Sequence, residues 1–90
     1  MLSTALLLVF VNIALADPVD INNADAGTLA TALNGIGEAK ARAIVAYRNQ
    51  YGAFSSAGEL VRVKGIGPRI VELNQDTIQI GKPMTGDIGK

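Results

Sequence analysis

The 90-residue chain is 49% hydrophobic, only 4% aromatic, and has no Cys, His or Trp. Without those side chains there can be no disulfide framework, no zinc site of the usual kind and no catalytic device that needs thiolate or imidazole. Eight basic residues balance eight acidic ones, which excludes a broadly cationic surface. Anion binding must then come from local placement of charge or from backbone groups.

The first sixteen residues, MLSTALLLVFVNIALA, carry no charge and end in Ala14-Leu15-Ala16, just ahead of Asp17-Pro18. An apolar run closing on small residues reads as a secretory signal peptide over 1–16. It is short for a membrane span, which takes about 20 apolar residues. The run lacks the Lys or Arg with which such leaders usually begin. An uncleaved anchor, or a start site placed too late, is the alternative. Export with cleavage after Ala16 is the expectation, leaving a folded domain over 17–80.

DPVDINN (17–23) reads as extended, with Val19 and Ile21 alternating against Asp20 and Asn22. Asp25 is placed to cap a short helix over 26–33, with Leu29 and Leu33 on one face. Asn34-Gly35 breaks it. A longer helix follows from Glu38 or Ala39 to about Gln50, with an apolar stripe of Ala39, Ala43, Ile44, Ala46 and Tyr47. Tyr51-Gly52 ends it, since Gly is favoured just past a helix. Phe54, in the connector 53–56, is expected to plug the core, with Tyr47 and Tyr51 at core and rim.

Ser56-Ala57-Gly58-Glu59 has the form of a capping box before Leu60 and Val61, so a short helix to Arg62 or Val63 is predicted. Lys64-Gly65 breaks the chain again. Pro68 suits the first turn of a last helix running to about Asn74. DTIQI (76–80) reads as extended, and GKPMTGDIGK (81–90) as a loose tail.

The chain contains an internal repeat. Gly35-Ile36-Gly37 recurs as Gly65-Ile66-Gly67, 30 positions later. Upstream, Ala26-Gly27-x-Leu29 is answered by Ala57-Gly58-x-Leu60 at an offset of 31. Each copy reads helix, tight turn, helix, and the two copies can share one core as a pseudo-twofold pair. The β-branched Ile of each turn is expected to face inward. The flanking glycines allow unusual backbone angles and close approach of a ligand to the main chain. The amides at the start of the following helix have no internal partners, and that end of the helix carries partial positive charge. Such a place binds phosphate. Two of them could each hold one strand of a duplex. Lys40, Arg42, Lys64 and Arg69 lie beside the turns and Arg62 is close; Glu38 and Glu72 must point sideways.

In these residues the chain resembles the tandem helix-hairpin-helix domain of the ComEA family of competence DNA receptors. The resemblance rests on the INxA opening, GIGEAKAxAIVxYR, a YGxF connector, S-x-x-EL and a second KGIG, and covers about residues 19–80. It implies an all-α fold of two helix-hairpin-helix motifs, similar to other small SAM-like or RuvA-domain-2-like helical domains. It also implies a periplasmic protein that binds double-stranded DNA without sequence preference and retains it during natural transformation, with the DNA-uptake machinery as a further candidate partner. The implied phosphate-binding set is Gly35, Ile36, Gly37, Ala39, Lys40, Lys64, Gly65, Ile66, Gly67 and Arg69. No catalytic residue, metal, cofactor or small-molecule substrate is expected. The competing reading, prompted by the zero net charge, is an exported helix-hairpin-helix scaffold with little DNA affinity.

Overall fold

The structure, a computed structural model, describes residues 18–82. The expected signal peptide, 1–16, lies outside them, as does the part of the expected tail beyond Lys82. The chain forms a short strand β1 (Val19–Asp20), helix α1 (Ala26–Ala32), helix α2 (Glu38–Tyr51), a 3-10 helix (Ala57–Arg62), helix α3 (Pro68–Leu73) and a short strand β2 (Ile78–Gln79). The fold is helical, as the periodicity predicts. Among the described residues, no helix is long and apolar enough to cross a membrane.

Each helix starts where local chemistry allows. Asp25 caps α1 by accepting the Thr28 N–H at 2.8 Å. That bond, then the Thr28 hydroxyl and the charge of Arg48, hold the Asp25 carboxyl below its usual pKa. Pro68 opens α3, where its missing N–H costs nothing. Gly52 closes α2, its N–H returning to the Arg48 carbonyl. Neither bond of the expected capping box forms. The Ser56 side chain caps nothing, and Glu59 reaches one residue further back, accepting from the Ser55 N–H at 3.1 Å. The segment winds as a 3-10 helix.

α1 packs on α2, and the 3-10 helix on α3. One apolar core joins the two pairs: Phe54, Ile21, Leu29, Ile44 and Leu60 are almost wholly enclosed. Burying each such side chain stabilises the fold by about 1.5–3 kcal/mol. Tyr47 stacks on Phe54 at 5.2 Å and meets Tyr51 at 4.7 Å; Tyr51 stays exposed at the rim. The stripe on α2 differs from expectation. Ala41 and Ile44 are its buried residues, while Ala39 and Ala46 face solvent. Ala39, Ala43 and Ala46 share one face of this helix and buried Ala41 stands opposite, so the alanine spacing marked the wrong side.

The two extended segments pair with each other in parallel, Val19 against Ile78 and Asp20 against Gln79. Asn22, expected as an outward polar residue, is instead buried. Its side-chain amide accepts the Phe54 N–H at 2.7 Å and donates to the carbonyls of Phe54 and Gly81 at 3.0 and 2.8 Å. Gly81 also donates to the Asp20 carboxylate at 3.0 Å, and the Lys82 carbonyl accepts from Asn23 at 2.7 Å. A side chain at position 81 would run into the Asp20 carboxylate. The fastened chain therefore continues to Lys82, two residues past the predicted boundary. Burial pushes the Asp20 carboxyl up, but bonds from the Asn23 side chain and from the N–H groups of Asn22, Gly81 and Asn23 outweigh it and hold the pKa below the usual value.

Candidate nucleic-acid interface

The repeated turn is repeated in conformation as well as in sequence. Leu33 and Val63 leave their helices with extended backbone, at φ −100°, ψ 131° and φ −82°, ψ 131°. Gly35 and Gly65 follow in the left-handed region, at φ 78° and 94°. A side chain there would cost about 1–2 kcal/mol. Ile36 and Ile66 turn inward and are 2% and 3% exposed. Their side chains are core anchors, so within the predicted phosphate-binding set they can offer only main-chain groups. Gly37 and Gly67 then sit at the N-caps of α2 and α3 with extended backbone, and no side chain caps either helix.

The two glycines of each turn serve different ends. Gly37 and Gly67 have angles that any residue adopts, and a Cβ on either would meet nothing within 4 Å. Neither backbone strain nor internal packing calls for glycine there. What remains is close approach of a ligand to the main chain, which a bare glycine permits.

The two turns lie side by side, and each motif covers the other's left-handed glycine. A Cβ on Gly35 would lie 3.8 Å from Cγ1 of Ile70, and a Cβ on Gly65 would lie 3.5 Å from Cε of Lys40. Ile70 and Lys40 each stand five positions past the first glycine of their own turn. This exchange of equivalent positions is the mark of the pseudo-twofold pair.

Buried Asn74 adds a further tie that no sequence pattern marked. It accepts the Asn34 N–H at 2.7 Å and donates to the Asn34 carbonyl at 2.9 Å and the Ile70 carbonyl at 2.8 Å. The end of α3 is thereby fixed to the residue just before Gly35. Nothing local announces a partner 40 positions away.

Charge is distributed unevenly. Lys64 and Arg69 are exposed and outside any ion pair, while half-buried Lys40 donates to the Gly35 carbonyl at 3.4 Å. Ala39 is exposed and can contribute only its N–H. Arg42 is bound to Glu38 at 2.7 Å, the single ion pair among the described residues. Glu38, at the first position of α2, thus shares its carboxylate with Arg42 one helical turn on. Arg48 is structural, donating to the Ile21 carbonyl at 3.0 Å. Asp20 and Asp25 lie at or before the start of α1. The seven residues of α1 set Asp25, its N-cap, about 10 Å along the axis from the helix end that leads into the first turn. Among the described residues, no three of His, Cys, Asp and Glu are grouped to hold a metal.

Comparison with known proteins agrees with this geometry. Residues 15–79 match the helix-hairpin-helix motif family. An uncharacterized protein of Haemophilus influenzae is 44% identical over 63 residues, covering 70% of this chain and 56% of that protein. ComE operon protein 1 of Bacillus subtilis is 36% identical over 62 residues, covering 69% of this chain and 30% of that protein. The chain therefore spans about half of the first relative's length and less than a third of the second's.

Proposed function

The chain belongs to the helix-hairpin-helix motif family, and on that premise we propose that it is a ComEA-like protein that binds double-stranded DNA without reading its sequence. In this reading the first sixteen residues direct export, and the domain works in the periplasm. There it captures incoming DNA and retains it during natural transformation, catalysing nothing. The likeness to ComE operon protein 1 supports the competence assignment.

One observation carries the DNA-binding part. Two turns of matching conformation stand side by side, and each presents a bare glycine with open space before an uncapped helix start. Backbone amides so placed hold phosphate oxygens and are blind to base identity. Two such turns suit the two strands of a duplex.

The neutral composition and the Glu38–Arg42 pair favour a second reading, an exported scaffold with little affinity for DNA. Titrating the chain into unrelated labelled duplexes at low salt decides between them. DNA binding predicts similar affinity for every sequence, and a slope of log K against log salt near −3.6 for about four phosphates. No shift at high micromolar protein would leave the scaffold.

A further inference from the structure

The repeat sets Asn74 in the place that Ile44 holds in the first motif, 30 positions earlier. Both are enclosed, at 2% and 0% exposed. The first motif fills that place with core hydrocarbon, whereas the second puts a primary amide there. A buried amide is costly unless its polar atoms find partners. Here they do: Oδ1 accepts the Asn34 N–H, and Nδ2 donates to the carbonyls of Asn34 and Ile70. The Asn74 carbonyl in turn accepts the N–H groups of Thr77 and Ile78 at 2.9 and 3.0 Å, and its own N–H returns to the Val71 carbonyl at 3.1 Å. One residue thus holds the main chain just ahead of Gly35, the end of α3 and the approach to β2. The tie has no counterpart on the other side. Lys64 precedes Gly65 as Asn34 precedes Gly35, but Ile44 has no polar group with which to hold it.

We propose that Asn74 is a positioning residue: it sets the span between the two turns, and through that span it makes the chain prefer duplex to single-stranded DNA. Enclosed as it is, it touches no phosphate itself. One turn alone can hold a phosphate of either form. Two turns at a fixed span meet both strands of a duplex at once, so the second contact follows the first within one complex. Linkage of this kind raises affinity by about 100- to 10,000-fold where the spacing fits, and is lost where it does not. A single strand must first be ordered to present the same span. A single buried Asn can fix register between packed helices in the same manner. This deepens the DNA-binding reading and rests on it.

The test titrates the full chain, Asn74→Leu and Leu29→Ala against a labelled duplex and against one of its strands, in the cold at low salt. Leucine is close to asparagine in size and makes none of the three side-chain bonds. Leu29→Ala lowers stability from within the core and leaves the tie to Asn34 in place. Asn74→Leu is expected to keep the parent's single-strand affinity, to lose about tenfold or more in duplex affinity, and to show about half the parent's salt slope on duplex. Leu29→Ala is expected to keep the parent's ratio of duplex to single-strand affinity. Should Asn74→Leu melt too low to titrate, trimethylamine oxide restores its folded population without restoring the bonds, and all three chains are compared in it. A parental ratio in folded Asn74→Leu, or an equal fall in Leu29→Ala, overturns the positioning role and leaves DNA binding intact, as does a parent that binds duplex and single strand equally. A parent that binds no duplex at low salt overturns both.

Discussion

Gly37→Ala and Gly67→Ala should separate binding from folding. Both positions have extended backbone and open space at the Cβ. Alanine is a poorer N-cap than glycine, at a cost of about 0.5–1 kcal/mol. Against this, it lowers the entropy of the unfolded chain, a gain of about 0.4–1 kcal/mol. The two offset each other, so stability should change by less than about 0.5 kcal/mol and the melting temperature by less than about 4 °C. Binding should respond differently. The new methyl stands in front of the helix amides and pushes a phosphate out of hydrogen-bonding range. A bond to a charged group is worth about 1.5–3 kcal/mol, so each substitution should weaken duplex affinity by about 10- to 150-fold. Gly35→Ala is the control. Its left-handed backbone makes alanine cost about 1–2 kcal/mol, so that variant should melt lower. Thermal melts followed by fluorescence anisotropy with a labelled duplex read both quantities. Unaltered affinity in Gly37→Ala, or a melting temperature lowered as far as in Gly35→Ala, would refute the reasoning.

Two further outcomes follow from the polar ties. Asn74→Ala removes three hydrogen bonds worth about 0.5–1.5 kcal/mol each. Loss of about 2–4 kcal/mol is expected, lowering the melting temperature by roughly 10–30 °C; calorimetry showing a shift under 5 °C would deny the side chain its clamping role. Asp20 and Asp25 have folded-state pKa values below those of the unfolded chain, so the unfolded state takes up protons first as pH falls. Their stabilisation is complete above about pH 4, the ordinary carboxylate range, and is lost as pH drops through the depressed folded values. Melting temperature should stay level from pH 7 to 5 and fall below 4, with a shallower fall in Asp20→Asn; equal acid slopes for parent and variant would remove Asp20 from the account.

The features legible in the sequence are those whose cause is local. Asp25 as a cap, Pro68 at a helix start, Gly52 at a helix end and the inward Ile36 and Ile66 each follow from a few adjacent residues. The paired glycine turns were legible because they occur twice. What the sequence hid depends on distant partners. Asn22 reads as an ordinary surface residue until Phe54 and Gly81 are placed beside it. The extended character of 17–23 and 76–80 was visible, but not that they pair with each other. Lys40 was recognisable as a motif cation, whereas its reach across to Gly65 depends on how the two motifs pack. Arg42 also lies beside the first turn in the sequence, and only the structure shows it paired with Glu38.

The strand pairing of Val19–Asp20 with Ile78–Gln79 also closes the domain on itself. It joins residues 59 positions apart, and closing a loop of that length costs on the order of 4 kcal/mol in chain entropy. The bonds that Asn22 and Asp20 make to Gly81, with Ile21 enclosed in the core beside them, offset that cost, so a substitution that breaks them loosens both ends of the domain together.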